Sequence, residues 1–239
     1  MDALGFIMDI LFPAECVACG AHLPRGTLCR NCRAGIASHA ALFCGSCAAP
    51  LHGCRMLCHP RAPFLMGAAG DYADPVLRTL VRALKFGRLR NAADPLADLL
   101  IYYCARLPVE LRGFTVVPVP ISRERMRERG FNQSALIAER FARFFGLPLS
   151  KDALVRTGHR TPQSEIADHA ERRRNIRECF AVNAHGKNKK GASMFMHDHA
   201  RVILIDDVTT SGATFTEAAH TLRAWGTRKI LALAVAKAK

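Results

Sequence analysis

Val202, Ile203, Leu204 and Ile205 run without interruption into Asp206-Asp207-Val208-Thr209-Thr210-Ser211-Gly212-Ala213-Thr214, and a helical period begins where that run ends. The order calls for a strand, a turn and a helix. In a parallel sheet it puts both aspartates at the carboxyl edge of a strand, where α/β sheets bind their ligands, and the Thr/Ser/Gly turn at a helix amino terminus. Unpaired backbone N–H groups and the positive end of the helix dipole make an anion site there, and the hydroxyls of Thr210, Ser211 and Thr214 add donors. A phosphate fits that turn. The two carboxylates, as acceptors, fit the hydroxyls of a ribose beside it. Threonines and aspartates acting only as helix caps, or a response-regulator-like acidic cluster, account poorly for two adjacent aspartates, three hydroxyls and a glycine together. No Gly-Lys-Ser/Thr sequence occurs, which disfavours a P-loop nucleotidase.

The rest of the larger part of the chain has the same texture. Val76, Leu77, Leu80, Val81 and Leu84 recur at helical spacing, and Leu96, Leu99, Leu100 and Tyr103 continue the pattern in a second helix. Phe114-Thr-Val-Val-Pro-Val-Pro120 reads as a buried strand closed by prolines. A polar, arginine-rich loop follows, then a helix from about Asn132 that turns Leu136, Ile137, Phe141 and Phe144 inward and ends at Gly146-Leu-Pro148. The strand Arg201-Val-Ile-Leu-Ile205, a helix over residues 214–225 and a last apolar strand over 229–236 complete an α/β fold with a mainly parallel sheet. Residues 156–177 have no apolar face and read as a mobile loop leading into a helical turn. Residues 185–199, with Lys187, Lys189 and Lys190, read as a second surface excursion.

Eight of the ten cysteines crowd into residues 16–58 as Cys16-x2-Cys19, Cys29-x2-Cys32, Cys44-x2-Cys47 and Cys54-x3-Cys58. Each pair lets two thiolates bind one metal, so two tetrahedral zinc ions with four sulfurs each are the expected occupants. The spacing leaves open whether the pairs combine consecutively or interleave, and whether His52 or His59 substitutes in the second site. Cysteines spaced as metal ligands, not as a disulfide framework, point to a reducing cytoplasm. Cys104 and Cys179 have apolar neighbours and read as buried thiols. Residues 1–65 are too poor in apolar periodicity to fold without metal, and a boundary there separates them from the larger domain, residues 66–239. Residues 1–12, apolar but carrying Asp2 and Asp9, lack a basic start and a small-residue cleavage site and read as a short amphipathic helix. No run approaches the roughly 18 apolar residues of a membrane span, so no membrane insertion is expected.

The formal charge of +14 is distributed unevenly: residues 1–65 hold five arginines against Asp2, Asp9 and Glu15, a formal +2, which leaves +12 for the rest. Two four-thiolate zinc sites would take the small module to about −2. Any nucleic-acid footprint therefore centres on the larger domain, and the small module is expected to be structural or to dock a protein partner, although its five arginines could share a face and bind DNA.

Arg123, Arg125, Arg127 and Arg129 follow the strand that ends at Pro120 and lead into Gly130-Phe-Asn-Gln133. Arginine forks at a strand's carboxyl edge, across the sheet from a ribose phosphate, would receive pyrophosphate through bidentate charge-assisted bonds. Residues 202–214 resemble the signature of the type I phosphoribosyltransferases, with Ser211 where threonine is commoner. Arg129-Gly-Phe-Asn-Gln133, Thr161-Pro-Gln163, Arg172-Arg-Arg-Asn175 and Phe180, together with the cysteine-rich front, extend the likeness over nearly the whole chain. The sequence resembles the ComF family, also called ComFC-like or competence-protein-F-like. In that family a zinc-finger module is fused to a phosphoribosyltransferase-type domain, and the family is associated with uptake and processing of single-stranded DNA in natural transformation.

The resemblance implies a phosphoribosyltransferase-type fold and a ribose-phosphate ligand, most of all phosphoribosyl pyrophosphate with Mg2+. It implies Asp206 and Asp207 as the catalytic pair and Thr210, Ser211, Gly212, Ala213 and Thr214 as the ribose-phosphate loop. Arg123, Arg127 and Arg129 would take the pyrophosphate-loop position, and Gln163, Arg172 and Arg173 would belong to an active-site lid. Residues 172–174 read equally as a solvated charge run with Glu171 and Glu178 as partners. Two departures stand out, a long 185–199 excursion and a widened last cysteine pair. Three functions compete: an enzyme that transfers phosphoribosyl groups to an unspecified acceptor, a nucleic-acid-binding module that retains the nucleotide pocket without turnover, and a nucleotide-sensing regulator. The last is weakened by the lack of a recognition helix.

Overall fold

The computed structural model of the protein describes residues 14–51, 58–59, 62–157, 179–183 and 200–238. The chain opens with a short antiparallel ribbon, β1 (Ala14–Glu15) and β2 (His22–Leu23), followed by α1 (Arg30–Gly35), β3 (Leu42–Cys44) and β4 (Pro50–Leu51). Next come β5 (Leu65–Asp71), α2 (Pro75–Lys85), a 3-10 turn (Arg90–Ala92), α3 (Ala93–Ala105), β6 (Phe114–Pro118), α4 (Arg123–Arg129) and α5 (Gln133–Phe145). The chain closes with β7 (Leu154–Arg156), β8 (Phe180–Val182), β9 (Arg201–Thr209), α6 (Ala213–Ala224) and β10 (Lys229–Lys237).

One six-stranded sheet, in the order β4-β3-β5-β10-β9-β6, organises the molecule. Its strands β5, β10, β9 and β6 are parallel, and β3 and β4 join antiparallel beside β5. The expected α/β fold with a mainly parallel sheet, preceded by a cysteine-rich ribbon, is what the structure has. Period-two alternation explains how the sheet is covered. Ile203 and Ile205 of β9, with Leu231 and Leu233 of β10, share one apolar layer with Leu77, Leu96 and Phe141 of α2, α3 and α5. Val202 and Leu204, with Ala232 and Ala234, pack on the other side against Phe215, Ala218 and Leu222 of α6.

Local sequence sets the helices. Asp74 caps α2 by accepting from Leu77 N at 2.9 Å, Pro75 opens the helix, and Leu77, Leu80, Val81 and Leu84 form its buried stripe. Three expectations are corrected. Residues 123–129 are not a loop but a capped helix: Ser122 Oγ accepts from Arg125 N, and Gly130 ends the helix in a left-handed conformation. Strand β9 does not stop at Ile205 but runs to Thr209, because β10 pairs with it along its whole length to the Lys237–Thr209 register. Phe144, at the margin of the stripe formed by Ile137, Ala138, Phe141 and Ala142, is 64% exposed and leans on Phe145 instead.

Strands β7 and β8 pair across the interval that carries the expected lid. Gln163, Arg172 and Arg173 lie outside the described residues, as do residues 1–12, His52, Cys54 and the 185–199 excursion. Among the described residues no helix is long and apolar enough to cross a membrane.

Candidate metal centres and phosphate site

The cysteine pairs combine consecutively. The ligand atoms of Cys16, Cys19, Cys29 and Cys32 all lie within 4.8 Å of one another, and so do those of Cys44, Cys47, Cys58 and His59. Tight turns place them: Cys16 Sγ accepts from Cys29 N at 3.4 Å, Cys29 Sγ from Cys32 N at 3.3 Å, and Cys44 Sγ from Ser46 N at 3.4 Å. Crowding shifts these thiols in opposite directions. Burial raises Cys16, but N–H donors from Cys29, Ala18 and Cys19 outweigh it and hold it at about 6. Its neighbour Cys32 is pushed up to about 12, first by Cys29 and then by Cys19. Cys44, at about 6, and Cys58, at about 12, repeat the pattern. Thiolates this close cannot ionise together without a cation between them, and a sulfur-rich tetrahedral set is the donor chemistry of structural zinc. His59 stands in the second group, while Cys54 and His52 lie outside the described residues.

The acidic pair sits where β9 outruns its neighbour. Strand β6 ends at Pro118 beside Ile205, and one further bond, Val119 N to Ile205 O at 2.9 Å, precedes the departure of the chain. Asn132 fixes the return: Nδ2 donates to Val119 O at 3.0 Å, and Oδ1 caps α5 by accepting from Ser134 N at 3.0 Å. Ser134 Oγ then donates to Asp206 Oδ1 at 2.8 Å, which also accepts from Asp207 N at 2.9 Å. Asp207 shares the face of Ile203 and Ile205, and α2, packed on that face, sends Lys85 Nζ to Asp207 Oδ1 at 3.0 Å. The second oxygen, Asp207 Oδ2, is buried and has no hydrogen-bond partner among the described residues. Asp206 is raised to about 7, chiefly by burial and then by the charge of Asp207.

The turn beyond the aspartates holds Thr210, Ser211 and Thr214 exposed, with Ala213 at the first position of α6. Gly212 is the N-cap of that helix at φ 76°, a conformation that L side chains rarely adopt, and as a glycine it supplies no side-chain cap. The first turn of α6, whose N–H groups have no intrahelical acceptor, thus begins beside three exposed hydroxyls. Beyond β6, Arg123 and Arg127 are exposed on α4, whereas Arg129 is buried with Cζ 5.6 Å from the centre of the Phe86 ring. Arg129 Nε and Nη1 and Gln133 Oε1 are buried without partners among the described residues.

Sequence reasoning missed Lys85 and Ser134. Each left a signal. Lys85 continues the Leu77–Val81 row of α2 at i+4, and Ser134 lies at i−3 and i−4 from Ile137 and Ala138 on the buried face of α5. A polar residue on a core-facing stripe wants a partner, and here each partner is an aspartate of β9.

Residues 7–60 match the family model described as Double zinc ribbon domain. Competence protein F of Haemophilus influenzae is 28% identical over 238 residues, which cover 95% of this chain and 98% of that protein. DNA utilization protein YhgH of Escherichia coli strain K12 is 30% identical over 200 residues, 82% of this chain and 78% of that protein. Among solved structures, the allosteric regulatory enzyme of purine biosynthesis overlaps 65% of this chain and 30% of its own, with a TM-score of 0.42 and 17% identity. Identity of 30% across 82% of the chain reaches far beyond the cysteine-rich segment, and the chain belongs to the ComF family, with competence protein F and DNA utilization protein YhgH.

Proposed function

We propose that the protein is a cytoplasmic phosphoribosyltransferase-like protein of single-stranded DNA uptake and processing. It binds phosphoribosyl pyrophosphate, or a related ribose phosphate, at the carboxyl end of β9. The names of the relatives, competence protein F and DNA utilization protein, support the DNA half of this reading. The observation that carries the ligand half is Asp207: its buried Oδ2 has no donor among the described residues, which is costly, and it lies beside a second carboxylate and next to a helix start whose N-cap, Gly212, offers no side chain. Ribose hydroxyls would donate to Asp206 and Asp207, while the N–H groups and hydroxyls of residues 210–214 would hold the phosphate. Arg123 and Arg127 would balance pyrophosphate as it leaves the anomeric carbon, on which an acceptor nucleophile closes. Mg2+, if bound with the pyrophosphate, would supply further charge neutralisation. The residues of this chain then act by positioning and by charge stabilisation.

Calorimetry with phosphoribosyl pyrophosphate and Mg2+ tests this. Replacing both aspartates (Asp206→Ala with Asp207→Ala) removes two acceptors, each worth roughly 1.5–3 kcal/mol as a charged hydrogen bond. Affinity should fall on the order of a hundredfold or more, with zinc content unchanged. Thr214→Val should cost less, because backbone N–H groups still face the phosphate. Absence of binding by the wild-type chain would overturn the ligand half.

A further inference from the structure

Phe86 follows Lys85 at the end of α2, so it stands one residue from the side chain that reaches Asp207. It is 65% exposed. The guanidinium of Arg129 lies over its ring, with Cζ 5.6 Å from the centroid, and Nε and Nη1 of that buried arginine have no hydrogen-bond partner among the described residues. Two residues on, Arg88 adopts φ 53°, a left-handed conformation that costs a non-glycine residue energy and that persists where the surroundings enforce it. An apolar ring set in water, backed by a cation and followed by a strained turn, gains nothing for packing.

The surroundings indicate what would cover the ring. Arg82, Arg88 and Arg90 are exposed on the α2 side, and Arg123, Arg125 and Arg127 are exposed on α4, whose last residue is Arg129. Glu124 and Glu128 are the carboxylates of α4, outnumbered by its arginines. An open aromatic face within an arginine field suits a polyanion with flat, unpaired bases: every base has a π-face, and the phosphates meet the arginines. In a duplex the bases stack on one another and cannot reach a protein ring.

We propose that Phe86 is a stacking platform for a base of single-stranded DNA whose backbone crosses the arginines of α2 and α4. The proposal rests on the DNA half of the reading above and is independent of phosphoribosyl pyrophosphate. The test replaces the chain's one tryptophan, Trp225, by phenylalanine and introduces Phe86→Trp, so that the only indole reports on the platform. A short oligodeoxynucleotide should change this fluorescence, whereas an abasic oligomer of the same length and charge should not. In the native chain Phe86→Ala should weaken binding of the oligodeoxynucleotide about tenfold or more, and that of the abasic oligomer by little. Equal responses to both oligomers, an unchanged affinity in Phe86→Ala, a response to a mononucleotide but not to the oligomer, or no binding of DNA by the native chain would each overturn the proposal. A failure of phosphoribosyl pyrophosphate to bind would leave these readouts untouched.

Discussion

Asp206 and Asp207 are neighbours in sequence and unlike in chemistry. Asp207 has Lys85 at 3.0 Å, whereas Asp206 has Ser134 and a backbone N–H and is pushed up to about 7, mainly by burial. An acid whose folded pKa lies above its unfolded value, here 3.8, holds its proton more readily in the folded state. The stability it lends is present at low pH and is lost as pH rises from that value through about 7. Asp206→Asn should therefore melt a few degrees above wild type at alkaline pH, with the gap narrowing in mild acid. Calorimetric scans at several pH values measure this, and a gap independent of pH would assign the effect to something other than ionisation. Lys85→Met should do the reverse and destabilise by about 3 kcal/mol, since it leaves Asp207 buried and unpaired. Adding Asp207→Asn should restore most of the loss in urea unfolding. The aspartates were legible because two acids after an apolar run have few structural uses. Lys85 was not, because its partner lies 122 residues away and only the packing of α2 on β9 brings them together.

Elements were legible to the degree that they carry a period. Strand β9 and helices α2, α3 and α5 emerged from their apolar spacing, but the end of β9 did not, because Asp206 and Asp207 look like a terminus and pairing with β10 overrides them. The arginine-rich segment looked like a loop because it has no apolar face, yet Ser122 and Gly130 are a helix start and stop signal that composition hid. Strands β3 and β4, of three and two residues, are too short to show alternation. A single glycine shows how tightly the second metal centre is held: a Cβ on Gly45, between Cys44 and Cys47, would lie 2.3 Å from Phe64 O. Gly45→Ala should therefore cost about 1–3 kcal/mol in denaturant unfolding. It should also weaken zinc retention at that centre before the other, which a chelator titration with a colorimetric zinc indicator would follow.

At the scale of the molecule, the cysteine-rich segment is bound to the rest by contacts that the sequence could not show. Thr27 Oγ1 donates to Asn91 O at 3.4 Å, Arg33 pairs with Asp98 at 3.1 Å, and Asp98 also holds Arg140 of α5 at 2.6 Å. Elemental analysis should find two zinc ions per chain. Chelation should lower the melting temperature of the whole molecule, not only melt a small early transition, and a main transition indifferent to chelation would show the parts to be independent. Residues 38–44 also run along the flank of β5: Leu42, Phe43 and Cys44 pair with Gly67, Met66 and Leu65, His39 N donates to Ala69 O, and Ser38 bridges to Gly70. Stripped of that cover, β5 would present an open row of backbone donors and acceptors along an apolar strand, a template for a second copy. A chain begun at residue 66 should therefore self-associate in light scattering even with the turn after β9 intact, and the zinc ribbon would then act as a guard against aggregation as well as a scaffold.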